Sequence, residues 1–478
     1  MSNRGTKILY QKHVKQKAWL LAFVLVVCCG FSPVYAQDGA TRKLTLSEAL
    51  ELAKSKNHQV TIARHQLEKA EAQSLESWSG FLPKVTVSET FVRSNDPVAV
   101  FGAKLRQGIF NMGDFSGPGG TSLTNYMDPN LPLLNDPNEI NNFNTAIEVQ
   151  QPLLNLDAIW GKSAAAAAAE GYEFSLKRTE EAIALGVEKA YFGMVLAKQK
   201  LVAIEKALEA IQAYANEAKA SFEKGLITEA DLLAAQVRLS ELQDQKMVAE
   251  NDIRNASDML RFLLRIEENV TIEPTDDLIV ATNLPQVNSD NAPMDRSDIK
   301  ALESFEHAAS RKETMECLGW MPRLNAFGRY DWNGDEVLGS DGENWTIGVS
   351  LQWNIFDGLG RLGRVRQASA DAQEMRVKYE EAKEQGLVDV RKAFRNLLSA
   401  KDRVEIAEKS VSQAEASYKI SSQRFAEGLQ RPSEMLTSEA SLTNSRLRLL
   451  KAKYDFRIAA SDLRFYSGNY AGAENLEK

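Results

Sequence analysis

Cysteine is nearly absent from this sequence. Three occur in 478 residues, and Cys28 and Cys29 fall within the first 36. Cys317 is then alone, so no internal disulfide can staple the fold. Histidine is also scarce. His58 and His65 lie seven apart on one helical stretch, two turns from each other and too far apart to share a metal without other ligands. No H-E-x-x-H, G-x-S-x-G, phosphate loop or paired-cysteine motif occurs, so neither a catalytic group nor a cofactor or metal is expected. An excess of basic charge is missing as well. Lys and Arg total 57 against 65 Asp and Glu, a net charge of -8. That balance argues against a nucleic-acid partner, which needs a basic face to replace phosphate counterions. Beyond residue 36 no run approaches the ~18 apolar residues that would suggest a membrane-spanning helix.

The first 36 residues read as an export signal. Arg4, Lys7, Lys12, Lys15 and Lys17 precede an apolar stretch from Ala18 to Gly30, and Val34-Tyr35-Ala36 offers a small-x-small cleavage site. Cleavage leaves a mature chain starting at Gln37 with net charge -13. Lipid attachment at Cys28 or Cys29 is disfavoured, because Val27 or Cys28 stands where a small residue usually precedes such a cysteine. An exported chain without disulfides must hold together by burial and assembly.

The rest is written twice. Phe81-Leu-Pro-Lys-Val85 answers Trp320-Met-Pro-Arg-Leu324 at an offset of 239, and Leu153-Leu-Asn155 answers Ile355-Phe-Asp357 at 202. Phe222, Gly225 and Leu226 answer Phe425, Gly428 and Leu429 at 203, as Leu260-Arg-Phe262 answers Leu463-Arg-Phe465. The matches are collinear. The drop in offset marks a 37-residue insertion in the first copy. The expected organisation is a signal at 1–36, repeats at 37–285 and 286–470, and a tail at 471–478.

Each repeat reads helix, strand, loop, strand, very long helix, turn, helix. Leu46 to Trp78 is a helical pattern ended by Pro83. Leu156 to about Glu223 has no proline and is rich in Ala, Glu, Lys and Leu, predicting a helix of ~100 Å. Leu359 to about Glu427 repeats it. Such lengths belong to coiled coils or helical repeats. Gly225 and Gly428 suit left-handed positions past the helix ends. Thr228 and Ser433 are the expected N-caps of the returning helices, with Asp231 completing an acidic capping box.

The strands look like membrane strands. Trp345, Ile347, Val349, Leu351, Trp353 and Ile355 alternate with Thr346, Gly348, Ser350, Gln352 and Asn354. A spanning strand needs ~9–11 such residues, and Trp345 and Trp353 stand where an aromatic girdle would place them. Phe143 to Gln150 alternates likewise, and Leu324, Ala326, Tyr330 and Trp332 share a face. Val85 to Arg93 is weaker, because Glu89 and Arg93 fall on its more apolar face. A soluble two-sheet sandwich would show the same alternation in any one strand. Four strands cannot close a barrel, and in lipid each unpaired edge group costs several kcal/mol, so other copies must complete it. Eight strands would leave an interior filled by side chains, so a trimer with twelve is expected. The Gly-, Pro- and Asn-rich stretch from Asp96 to Asn142 reads as a surface loop, with Phe101 to Phe110 a candidate cover for the mouth.

Together the repeat, the strand starts at Pro83 and Pro322 and the glycine-centred hairpins resemble the TolC family of outer-membrane efflux proteins, over roughly Leu44 to Ser467. The resemblance implies a homotrimeric β-barrel in outer-membrane lipid, continued by a long α-helical barrel in the periplasm of a Gram-negative cell. It implies a passive exit duct for an inner-membrane pump, with a periplasmic adaptor docked at the tips, and opening by untwisting of the inner helix pair. By the same resemblance the docking tips are Phe222, Gly225, Leu226, Phe425, Gly428 and Leu429. The aperture is assigned to Asp231, Glu434, Thr437, Gln430 and Arg431. Thr437 stands where the family often has a second acid, Gln430 where it often has an arginine, and Phe425 lacks the hydroxyl that would bond to Asp231. A plainer role for Asp231 and Glu434 is to complement the helix dipole. The competing functions are a periplasmic coiled-coil scaffold and, with no Ser/His/Asp set on the strands to support it, a lipid-modifying barrel enzyme.

Overall fold

The computed structural model describes residues 41–111, 114, 137–267, 270–279, 292–468 and 470. The signal segment, most of the inserted stretch, the middle of the inter-repeat linker and the tail lie outside these residues. Strand β1 (Thr41–Leu44) leads into helices α1 (Leu46–Lys56) and α2 (His58–Glu76), and a 3-10 turn at Ser77–Gly80 precedes β2 (Lys84–Ser94). Helix α3 (Pro97–Arg106) lies before β3 (Ile140–Leu154). Helix α4 (Leu156–Glu223) and helix α5 (Glu229–Leu264) form the first hairpin. Strand β4 (Thr271–Pro274) pairs with β1 in a small two-stranded ladder. Helix α6 (Ser297–Leu318), strands β5 (Arg323–Gly334) and β6 (Gly342–Gln352), and the second hairpin of α7 (Gly360–Ala426) and α8 (Pro432–Tyr466) complete the chain.

Three expectations are corrected here. The helical pattern from Leu46 to Trp78 is two helices, because Asn57 stops the first and caps the second. Its side chain accepts from Gln59 N at 2.8 Å and donates to the Leu263 carbonyl at 2.9 Å. The stretch after Asp96 is not all loop. Asp96 accepts from Ala99 N at 2.8 Å, and Pro97 fits the first turn of α3. The last strand is shifted, running from Gly342 to Gln352 rather than Trp345 to Ile355. Its partner β5 begins at Arg323, opposite Gln352, so Trp353 and Ile355 have nothing to pair with.

The four strands form one antiparallel sheet in the order β2-β3-β5-β6. Its register sorts side chains cleanly. Val87, Ile147, Tyr330 and Trp345 make one row, and Val85, Val149, Gly328 and Ile347 the next. The opposite face carries Thr90, Asn144 and Asn333, then Ser88, Ala146, Asp331 and Asn344. The apolar face is uncovered: Trp345 is 69% exposed and Ile347 76%. Both edges, β2 and β6, lack a strand partner among the described residues.

Helices α2 and α6 pack on α4, and α7 packs on α6. Glycine permits the closest approach. A Cβ on Gly171 of α4 would lie 2.6 Å from the Phe305 ring of α6. Further along, each hairpin zips on small and branched residues. Val390, Ala393, Leu397, Ala400 and Val404 of α7 meet Ala452, Phe456, Ala459 and Leu463 of α8.

Candidate channel wall and hairpin tips

The two tips are built alike. At the first, Gly225 has φ +73°; its N–H donates to Phe222 O at 2.8 Å, and Leu226 N donates to Ser221 O at 2.9 Å. At the second, Gly428 has φ +72°, with Gly428 N to Phe425 O at 2.9 Å and Leu429 N to Arg424 O at 2.8 Å. These bonds close orphan helix carbonyls through a left-handed residue, which glycine adopts without a Cβ penalty. The following leucines have no reason of their own to be outside, yet Leu226 is 72% exposed and Leu429 74%. Phe222 is exposed beside them, whereas Phe425 is half-buried, edge-on to Tyr214 at 5.3 Å between ring centres.

The returning helices differ. Thr228 caps α5 as expected, and its box with Asp231 is complete: Asp231 N donates to Thr228 Oγ1 at 3.3 Å, and Thr228 N donates to Asp231 Oδ2 at 3.3 Å. Ser433 does not cap α8. Pro432 already occupies the first helical position, so the cap falls on Arg431, whose side chain makes no capping bond. Ser433 instead supplies a carbonyl to Thr437 Oγ1 at 2.8 Å. Gln430 donates to Ser421 Oγ at 3.2 Å, while Arg431 and Glu434 are exposed. Asp231 and Glu434 remain on separate hairpins with no bond between them among the described residues. Burial, then the charges of Asp231 and Glu217, push the Tyr214 phenol up to about 12. Its hydroxyl has no hydrogen-bond partner among the described residues.

A buried ion pair is among the bonds that join the two hairpins. Arg238 of α5 donates through Nε to Glu439 Oε2 of α8 at 3.0 Å, and Thr443 Oγ1 donates to the other Glu439 oxygen at 2.6 Å. Both charged residues are buried. Each sits in its helix's inward stripe, Arg238 between Ala235 and Leu242 and Glu439 beside Leu436 and Leu442. A charge at an inward position was the available signal.

Four tryptophans gather where strands meet helices. Trp78, Trp160, Trp320 and Trp353 are all partly exposed near that boundary. Trp353 Nε1 donates to Trp320 O at 3.0 Å, and the Lys162 ammonium lies 3.4 Å from the centre of the Trp78 ring. Amphipathic rings and snorkelling lysines of this kind suit a membrane–water interface. Trp345 lies toward the other end of the apolar face, so Trp345 and Trp353 occupy opposite ends although Trp353 is outside the ladder. Among the described residues no group of three or more His, Cys, Asp or Glu could hold a metal, and no helix is long and apolar enough to cross a membrane.

The outer membrane efflux protein family model matches residues 49–264 and 290–469. The chain is 25% identical over 343 residues to the alkaline protease secretion protein AprF of Pseudomonas aeruginosa, covering 68% of this chain and 69% of that one. It is 21% identical over 299 residues to the outer membrane protein TolC of Vibrio cholerae, covering 60% and 67%. Its fold resembles the Campylobacter jejuni CmeC outer membrane channel with a TM-score of 0.74 at 17% identity, covering 90% of this chain and 87% of that one. Matched by that model over most of its length, the chain belongs to the outer membrane efflux protein family, a family of outer-membrane transport channels and not of enzymes.

Proposed function

We propose that this protein is the passive exit duct of a tripartite efflux or type I secretion assembly, conducting substrates delivered by an inner-membrane pump to the outside. The observation that carries this reading is the two-faced sheet. One face is apolar and uncovered, the other polar, both edges are open, and the same chain continues into two very long helical hairpins. In lipid such edges must be paired, so we read three chains closing a twelve-strand barrel. The helices support the same closure. Within the chain α4 packs against α8, but α5 and α7, their counterparts in the two-repeat reading, make no comparable contact. Met247, Val248, Met259 and Phe262 of α5 and Val388 and Ile406 of α7 are exposed. A neighbouring copy placing its α7 against this α5 would cover them.

On this reading residues 1–36 direct export and are removed, and the two repeats span 37–285 and 286–470. Leu226 and Leu429 beside Gly225 and Gly428, with Phe222, present the apolar knobs for the adaptor. Asp231 and Glu434, with Gln430, Arg431 and Thr437, line the aperture. The duct itself needs no catalytic group, cofactor or metal. The test is the mass of the detergent-solubilised mature protein together with fractionation of its native membrane. A particle of three chain masses from the outer membrane is expected. A detergent-independent monomer would refute the shared barrel.

A further inference from the structure

Helix α3 is tied to the sheet at its C-terminal end. The Gln107 amide, only 2% exposed, donates through Nε2 to Asn141 O at 2.7 Å, Asn142 Oδ1 at 2.9 Å and Gly334 O at 3.2 Å. Asn142 Nδ2 in turn donates to Asn333 Oδ1 at 3.2 Å, which also accepts from Asn144 at 3.2 Å. Those asparagines belong to the polar face. Gly342 makes the same point. It pairs with Asn333, and a Cβ there would come within 1.8 Å of the Arg106 carbonyl oxygen. The backbone at the end of α3 therefore rests directly on the polar face. The chain leaves β2 at Ser94, at one edge of the sheet, and α3 ends against β6 at the other. The helix crosses the outer rim of the sheet from edge to edge.

Its two sides differ. Val100 is buried, and Lys104 and Gln107 fall on the same side at 100° per residue. Val98 and Leu105 lie on the opposite side, 80% and 52% exposed, and Phe101, 39% exposed and edge-on to Phe110 at 4.9 Å between ring centres, flanks them at the i, i+3, i+7 spacing. An apolar stripe thus points away from the wall, on the side that a closed barrel turns toward its axis.

We propose that Val98, Phe101 and Leu105 of three copies meet over that axis and form an apolar constriction at the outer mouth of the duct. This rests on the trimeric barrel proposed above. The dimensions fit. Strands ~4.8 Å apart and tilted ~40° give a twelve-strand wall of radius ~12 Å, and a helix with its side chains is ~10 Å thick. Three helices laid along the rim fill most of the bore. The occupant of each stripe is then the same stripe of a second copy, because the polar face to which α3 is tied looks onto the lumen and away from lipid. Apolar constrictions of this kind bar water and ions by dewetting and yield to a cargo that can displace them.

The experiment uses full-length protein with exposed Cys317 replaced, Cys317→Ser, to remove the native thiol. Leu105→Cys in that background is treated with a short bis-maleimide in the native membrane, and covalent dimers are expected on a denaturing gel. Separately, Ser350→Cys on the polar face below the rim is labelled by a membrane-impermeant maleimide added from outside. Adding Phe101→Asp and Leu105→Asp is expected to speed that labelling several-fold. If the variants keep their trimeric mass, absence of cross-links in Leu105→Cys or an unchanged labelling rate in the aspartate variant overturns the constriction and leaves the trimer standing. A monomeric mass overturns both.

Discussion

The buried pair between Arg238 and Glu439 allows a worked test of what holds the second hairpin to the first. Glu439 has one guanidinium and one hydroxyl as partners, and its side chain is 4% exposed. Arg238 has a second carboxylate, Glu241 at 3.1 Å, but that one is 55% exposed, and its Nη2 is already unpartnered among the described residues. Truncating either member leaves the other charge buried with too little compensation, at a cost of ~3–5 kcal/mol. Replacing both by apolar residues of similar volume removes the desolvation penalty with the attraction and is often neutral. Glu439→Leu and Arg238→Met alone should therefore each destabilise by ~3 kcal/mol or more, while the double variant returns to within ~1 kcal/mol of the parent. The readout is denaturant unfolding of the detergent-solubilised protein, run as a double-mutant cycle. If the pair also biases the tip toward its closed arrangement, losing ~3 kcal/mol shifts the closed-to-open ratio by ~100-fold. Single-channel conductance in planar bilayers would then rise in the single variants. Additive single effects, or a Glu439→Leu protein that unfolds and conducts like the parent, would refute the reasoning.

Other outcomes follow from the same coordinates. Asp231→Ala combined with Glu434→Ala should raise ion leak in planar bilayers if these acids gate; unchanged conductance with a loss of only ~0.3–1 kcal/mol per site would leave the dipole role alone. Gly225→Ala and Gly428→Ala should each cost ~1–2 kcal/mol by unfolding, wholly through backbone strain, because no atom lies within 4 Å of either added Cβ. Gly225→Asn should cost less, since asparagine tolerates the left-handed region. For Asp298, burial opposes ionisation, yet the hydrogen bond from Arg296 and the charge of Arg178 outweigh it and hold the carboxyl below its ordinary 3.8. A depressed folded-state value contributes stability that is full above the unfolded value and lost as pH falls through 3.8 toward the folded one. Asp298→Asn should accordingly flatten the acid limb of a melting-temperature profile, and an unaltered limb would remove Asp298 from the account.

What could be read in advance was whatever local chemistry decides. The first long helix has the expected bounds, Leu156–Glu223, because no proline or glycine cluster interrupts its good helix formers. The second begins one residue later than expected because Leu359 is itself left-handed, with φ 71°. The tip glycines were legible for the same reason, since a positive φ between two helices leaves few other choices. Features set by distant partners were not. The break at Asn57 depends on Leu263, 206 residues away, and the Arg238–Glu439 bond spans 201. The strand β6 ends where its neighbour begins, a fact of pairing that alternation along one strand cannot contain. Ser433 failed as a cap because Pro432 fixed the helix start one residue earlier.

That failure bears on how the duct would open. Both hairpins turn through the same glycine geometry, but only the first then locks its returning helix with a complete capping box, between Thr228 and Asp231. A cap of that kind contributes ~1 kcal/mol. The second hairpin has none: Pro432 stiffens its start, and Arg431 makes no capping bond. It is held instead by tertiary contacts, with Phe425 against Tyr214, Met435 and Leu436 in the core of the first hairpin, and Glu439 on Arg238. Local caps survive a rigid rotation of the helix pair, whereas contacts between hairpins do not. The first hairpin thus keeps its tip whatever the second does. The second tip leans on contacts with the first hairpin, so on the proposed reading a ligand acting at Leu429 would meet the hairpin less restrained by its own turn.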